Sequence, residues 1–336
     1  MTLEEKIDIL DRTGGWIRSG FPEEIITKAT IQNAWFTKTN IRRALDAVAG
    51  QYFDSKAIKA WLSHYTIPEK ASQKTIGLVL AGNIPMVGIH DVICTFLAGH
   101  TSKIKFAEKD SVLIPVILNY MASLHSDVKQ NFDIVDKLKE YDAVIATGSN
   151  QTAVYFSRYF SHVPHIIRKN RHAIAVINGQ ENMSDLKNLA DDIFLYFGLG
   201  CRNVSKLLVP SGYDFGPLLA TFNDFEDIML HHKYSNNYDY NKALYLLNRE
   251  PFLEHPCILL KEAEGVSSRI ACLHFQYYRS TTEITYFIEK HKDEIQCVVG
   301  DLKNELPDLI PFGYAQQPSA DTYADGVDTM AFLLCI

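Results

Sequence analysis

From residue 75 to about 177, short apolar runs alternate with longer stretches in which apolar residues recur every three or four positions. Ile76–Leu80, Lys103–Ala107, Phe132–Val135, Ala143–Ala146, Val163–Ile167 and Ala173–Ile177 read as strands. Met86–Leu97, Val112–Leu124 and Gln151–Phe160 read as the helices between them. A continuous apolar run such as Ile76–Leu80 suits a strand buried on both faces. Strands separated by helices of this length predict a mainly parallel sheet with crossover helices on its faces. In such sheets ligands sit beyond the carboxyl ends of the strands. The loops at Asn83, Lys105 and Gly148 are therefore the first places to look for a site.

The flanking regions differ. Residues 1–74 carry helical spacing and little strand signal, as in Ile41, Ala44, Leu45 and Val48. A second block opens near Ser184, where Leu186, Leu189, Ala190, Ile193, Phe194 and Phe197 form one helical stripe. Strands follow at Lys206–Pro210, Ile270–Tyr277 and Ile295–Val299, with a helix at Glu283–Lys292. No repeat or Pro/Gly/Ser linker interrupts the chain. The expected organisation is α/β, with a helical region (1–74) packed on one α/β domain (75–183) and a second such domain (184–313). Residues from about 314 to 336 return to complete the first domain, and a cleft separates the two.

Charge narrows the function classes. The 33 Lys and Arg against 40 Asp and Glu give a net charge of −7, which disfavours a grip on nucleic acid. The longest charge-free stretches, Thr75–His90 and Ser111–Ser126, fall short of the roughly 20 apolar residues of a membrane-spanning helix. The first residues are acidic where a secretory leader is basic. The six cysteines form no CxxC pair, which fits reduced thiols and a cytoplasmic protein. His162/His165 and His231/His232 lack partners at ligand spacing, and no metal is expected.

Cys201 lies in Gly198-Leu199-Gly200-Cys201-Arg202-Asn203, between a helix and a strand. The glycines allow a close approach of backbone to ligand, and Arg202 and Lys206 add positive charge that favours a thiolate. A helix carboxyl end opposes this, and a buried structural thiol remains the other reading. Asn83 closes a buried strand, as an oxyanion donor or as an ordinary turn residue. Lys105 and Glu108, at the next strand end, can meet a phosphate and a ribose, or simply face solvent. Gly148 and Ser149 open a helix, which is an anion site by geometry.

Taken in order, these segments resemble the aldehyde dehydrogenase superfamily from about Lys74 onward. Gly82-Asn83-Ile84-Pro85 is similar to its oxyanion turn, Lys105-Phe106-Ala107-Glu108 to its KPAE cofactor element, and Thr147-Gly148-Ser149 to its FTGS turn. Cys201 falls where that superfamily has its nucleophile, and Pro311-Phe312-Gly313 resembles its PFGG segment. Within the superfamily, Ala81–Gly88, Gly200–Ser205 and Tyr323–Met330 resemble the LuxC-type acyl-CoA reductases.

The resemblance implies an aldehyde dehydrogenase-like pair of Rossmann-like domains, the first binding a nicotinamide cofactor and the second carrying Cys201. It implies reduction of a fatty acyl-CoA, or an acyl-protein thioester, to an aldehyde. Cys201 would become acylated with CoA as leaving group, and Asn83 would hold the oxyanion. Lys105, Glu108, Gly148, Ser149, Phe312 and Gly313 would bind the cofactor. NADPH is implied by resemblance, while Glu108 at the ribose favours NADH. A homo-oligomer and an acyl-protein synthetase partner are further implications. The stretch Ile167–His172 lacks the carboxylate with which hydrolytic relatives activate water, and the EIFGP element is absent near Ala271–Tyr277. A cysteine acyltransferase working without nicotinamide, or a hydrolytic aldehyde dehydrogenase, are the alternative activities. The apolar end Met330–Ile336 is expected as a strand.

Overall fold

The computed structural model describes residues 1–68, 72–302, 305–306 and 308–336. It resolves into two compact units, residues 1–170 with 318–336, and residues 171–317. The division thus falls after Asn170, earlier than the Ser184 expected from sequence, and the returning segment begins at Pro318.

The first unit opens with four helices, Leu3–Gly20 (α1), Glu23–Gln32 (α2), Lys38–Gln51 (α3) and Ser55–Leu62 (α4). Thr2 and Glu5 form a reciprocal capping box that starts α1. Asp54 starts α4 by accepting from the backbone of Lys56 and Ala57. The sheet follows as Thr75–Val79 (β1), Ile89–Ala98 (α5), Thr101–Lys105 (β2), Leu113–Leu124 (α6), Phe132–Ile134 (β3), Ala143–Thr147 (β4), Asn150–Tyr159 (α7) and His165–Arg168 (β5). Its order is β3-β2-β1-β4-β5 and every pairing is parallel. Ile76, Leu78, Val144 and Ala146 are buried, and all ten residues of α5 are buried. The chain winds outward from β1 through β2 to β3, then restarts at β4 on the other side. That reversal between β1 and β4 is where a doubly wound sheet opens a ligand crevice.

The second unit contains His172–Val176 (β6), Met183–Phe194 (α8), Val204–Pro210 (β7), Gly216–Phe222 (α9), His232–Leu247 (α10), Leu253–His255 (β8), Ile258–Glu262 (β9), Cys272–Tyr278 (β10), Thr281–Lys290 (α11) and Ile295–Gly300 (β11). The sheet order is β11-β6-β7-β10-β9-β8, parallel except at the β8 edge. Alternate residues of β6 serve different layers. Ala173 and Ala175 pack with Leu189, Ile193 and Phe222 from α8 and α9, whereas Ile174 and Val176 pack with Ile284 and Phe287 of α11. Helices therefore cover both faces, which explains the uninterrupted apolar run of β6.

The chain then returns to the first unit and ends as a helix, Thr329–Leu334 (α12), rather than the expected strand. Asp328 caps it by accepting from the Ala331 N–H at 2.8 Å. The tail is held within that unit by polar contacts. Trp61 Nε1 donates to Tyr323 Oη at 2.7 Å, and Tyr65 Oη donates to Asp328 Oδ2 at 2.8 Å. Arg168 Nη2 donates to Thr329 Oγ1 at 2.8 Å, while its Nη1 forms a buried ion pair with Asp91.

Candidate active site

In the first unit the candidate residues converge on three adjacent strand ends. Val79 is paired with Lys105 on one side and Ala146 on the other, so the loops after β2, β1 and β4 are neighbours. Asn83 is exposed in the loop after β1. A turn of 3₁₀ helix, Glu108–Asp110, lies directly behind this loop. A Cβ added at Gly82 would lie 3.0 Å from Ala107 Cβ and 3.2 Å from Asp110 Cβ, so a larger residue would push this turn back by a few tenths of an ångström. Asp110 Oδ2 accepts from the Met86 N–H at 2.8 Å and fixes a residue with positive φ (58°). Burial pushes the Asp110 carboxyl up to about 7, against the opposing effect of that hydrogen bond. Asp110 thereby pins the loop that carries Asn83 at Met86, a contact that its place in a charged sequence did not reveal.

Glu108 exposes its side chain, while its carbonyl accepts from Gln32 Nε2 at 2.6 Å. Lys105 is exposed and its Nζ donates to the Asp136 carbonyl at 3.0 Å. Gly148 donates its N–H to the Arg168 carbonyl at 3.1 Å. Ser149 caps α7, its Oγ accepting from the Thr152 N–H at 3.2 Å. Three exposed polar side chains at neighbouring strand ends, Lys105, Glu108 and Ser149, the last opening a helix, fit a dinucleotide with its phosphates at the helix start.

The second unit holds Cys201, half-buried at the amino end of β7. The helix α8 stops at Phe194, and the chain then turns through Tyr196 (φ 53°), Phe197 (φ 60°) and Gly198 (φ 72°), three left-handed residues in succession. Two are aromatic, and a left-handed L-residue costs about 1–2 kcal/mol. Such strain persists only where surrounding contacts impose it. Here Phe197 packs on the rings of His231 (4.4 Å between centroids) and Tyr234 (6.0 Å). Asn203 closes the turn. Its Oδ1 accepts from the Gly200 N–H at 2.8 Å, and its Nδ2 donates to the carbonyls of Asp192 (3.0 Å) and Leu195 (2.7 Å). A cavity of about 190 Å³ lies behind the turn, lined by Phe197, Gly198, Leu199, Tyr234, Ile258 and Ala271 among others.

The positive charge near Cys201 comes from one expected source. Arg202 donates to the Ala315 carbonyl at 3.3 Å, and it lowers the pKa of Cys297, which burial raises to about 12. Lys206 is instead buried elsewhere. Its Nζ donates to Ala263 and to Gln276 Oε1 at 3.0 Å and lies over the Phe287 ring, so it does not serve the thiol. Phe312 and Gly313 belong to this unit. Phe312 is a core residue, which leaves the backbone of the segment, not the ring, for any ligand. Gly313 (φ 85°) donates its N–H to Asp192 Oδ2 at 2.7 Å.

His165 and His231 have structural partners, the Val163 carbonyl and the Tyr234 N–H. Among the described residues there is no group of three metal-ligating side chains, and no helix is long and apolar enough to cross a membrane.

A family model described as acyl-CoA reductase (LuxC) matches residues 21–214, more than half of the chain and a span that includes Asn83, Lys105, Gly148 and Cys201. The chain belongs to the acyl-CoA reductase (LuxC) family. It is accordingly an oxidoreductase, and its fold is that of the aldehyde dehydrogenases. Aldehyde dehydrogenase 21 of Physcomitrella patens, solved with succinate, superposes with a TM-score of 0.69 at 12% identity, covering 98% of this chain and 79% of that one. An NADP-dependent enzyme of E. coli gives 0.68 at 12% identity, with 92% and 76% covered. An NAD-dependent aldehyde dehydrogenase of Sinorhizobium meliloti gives 0.68 at 13% identity, with 92% and 72% covered. No curated protein sequence matches the chain.

Proposed function

We propose that this acyl-CoA reductase converts a fatty acyl-CoA to its aldehyde with NADPH, through a thioester on Cys201. The observation that carries the reading is the strained left-handed turn stapled by Asn203, which holds one half-buried thiol at a strand end beside an anchored guanidinium. In the first stage the Cys201 sulfur bonds to the acyl carbon, the carbon–sulfur bond to CoA breaks, and CoA leaves as the thiol after taking up a proton. The oxyanion calls for N–H donors, of the kind that the Asn83 side-chain amide and the Cys201 backbone carry. A nicotinamide, if bound, would supply the hydride that reduces the acyl carbon. Cys201 is then the leaving group, and the aldehyde departs as the thiolate is restored. The sum is acyl-CoA, NADPH and a proton giving aldehyde, CoA and NADP⁺.

Two features favour reduction over release of acid. The stretch that would carry a water-activating carboxylate has none. Asp192, the buried carboxylate nearest in sequence before Cys201, already accepts hydrogen bonds at both oxygens. Lys105, Gly148 and Ser149 would hold the cofactor phosphates and Glu108 its ribose. For the 2′-phosphate, Lys105 and Lys109 flank Glu108 and are exposed. NADH is the alternative reductant. The test is oxidation of NADPH, and separately of NADH, on adding long-chain acyl-CoA to wild type and to Cys201→Ala. Aldehyde formation and reductant loss in wild type alone support the reading. Acyl mass on Cys201 without reductant loss would replace it with thioester exchange.

A further inference from the structure

We propose that Asp192 is a positioning residue for Cys201, tying the 313–315 segment to the helix end from which the nucleophile turn departs. The proposal rests on the reading of Cys201 as nucleophile. Asp192 lies in the last turn of α8 and is buried. Its two carboxylate oxygens accept from the Gly313 N–H at 2.7 Å and the Ala315 N–H at 3.1 Å. Its own carbonyl accepts from Asn203 Nδ2, whose Oδ1 accepts from the Gly200 N–H. From the other side, Arg202 donates to the Ala315 carbonyl. Gly200 and Arg202, the two neighbours of Cys201, are thus both tied into one loop of bonds that passes through Asp192.

Helix stability does not explain a carboxylate here. The carboxyl end of a helix carries partial negative charge, and Asp191 adds a second carboxylate. Burial adds a further penalty and pushes the Asp192 carboxyl up to about 7. The titratable groups that act with it are Asp191 on its own helix and the Cys297 thiol on β11, which burial keeps neutral by raising it to about 12. What the position does demand is an acceptor for two N–H donors. A carboxylate offers two, whereas an asparagine offers one and sets its NH₂ against the other donor. Gly313 belongs to the same device, since an added Cβ would lie 3.0 Å from Asn188 Cβ on α8.

The test uses the full chain carrying Asp192→Asn, and separately Gly313→Ala, which displaces the bonded segment while leaving the Asp192 carboxylate itself in place. Three quantities are compared with wild type: kcat and KM for long-chain acyl-CoA, the iodoacetamide alkylation rate at Cys201 read by peptide mass, and the melting temperature. Loss of one buried charge-assisted bond corresponds to about a tenfold fall in kcat. KM is expected to stay within about twofold. Alkylation at Cys201 is expected to slow severalfold as Arg202 loses its anchor, while Cys335, exposed in the other unit, alkylates at the wild-type rate. Wild-type kcat and wild-type alkylation at Cys201 in either folded variant would overturn the proposal, whatever the melting temperature. If Asp192→Asn does not fold, Gly313→Ala decides by the same readouts. Alkylation needs no reductant, so slower alkylation in a protein that never reduces acyl-CoA would remove the reductase reading and leave the Asp192 role standing.

Discussion

Replacing Asp110 by asparagine should make the first unit more stable in mild alkali and less stable in acid. The folded carboxyl titrates near 7 instead of 3.8, because burial disfavours its charge. A group that binds its proton more tightly in the folded state contributes stability fully below the unfolded value, and that contribution is lost as pH rises towards 7. The shift of about three units corresponds to roughly 4 kcal/mol of differential interaction. Asparagine keeps an acceptor for the Met86 N–H but puts an amide nitrogen where Asp110 Oδ1 is buried without a partner. That orphaned donor costs about 1–3 kcal/mol. The net expectation is a gain of about 2 kcal/mol at pH 8, turning into a loss of about 1 kcal/mol at pH 4.5. Urea unfolding followed by tryptophan fluorescence is well suited, because Trp16, Trp35 and Trp61 all lie in the first unit. A wild-type-to-variant difference that stays constant between pH 4.5 and 8 would refute the reasoning.

Asn83→Ala should lower kcat by about 10²–10³ with little change in KM for acyl-CoA, the signature of a lost oxyanion donor. Steady-state kinetics check this, and an unchanged kcat would remove Asn83 from the site. Arg168→Leu leaves Asp91 buried without its cation and should cost about 3–5 kcal/mol in urea unfolding; a loss below about 1 kcal/mol would show that the pair is dispensable. Cys257 has His255 Nδ1 at 3.4 Å from its sulfur, and His255 Nε2 lies 3.0 Å from Asn223 Oδ1, the residue types of a thiol protease site. Burial pushes this thiol up to about 12. Thiol labelling of the native protein should therefore reach Cys335 at once and Cys257 only after unfolding. A stoichiometric adduct on native Cys257 would contradict this.

The first sheet was legible because its strands are buried on both faces, so Ile76–Leu80 and Ala143–Ala146 announce themselves as apolar runs. The division after Asn170 was not. β5 and β6 are both short strands separated by three residues, and what assigns β6 to the second sheet is its pairing with β7 on one side and with β11, more than a hundred positions away, on the other. The terminal run Met330–Ile336 is too short to show a helical period, and only the Asp328 cap decides it. α10 went unread because its apolar residues are spread around the helix among many polar ones. At the site, Asn83, Gly148 and Cys201 stand in glycine turns that mark themselves. Asp110 and Asp192 do not, since a carboxylate in a charged stretch looks solvated until burial and backbone donors are seen. Lys206 failed in the converse way, as a cation five residues from the thiol whose ammonium is held by β10 and the chain before it.

The first unit is built from two separated pieces of chain, with residues 171–317 between them. Translation at about 5–20 residues per second takes roughly 7–30 s to cross that insertion. During that interval the nascent first unit lacks α12, and the α5 surface on which it packs stays uncovered. The buried Arg168–Asp91 pair likewise waits for Thr329. The second unit, continuous in sequence, can finish first, so a nascent chain carries a completed insert on an unfinished host. Stalling or truncation between residues 318 and 328 would yield a species whose second unit is complete while its first exposes apolar helix surface, a natural client for chaperones.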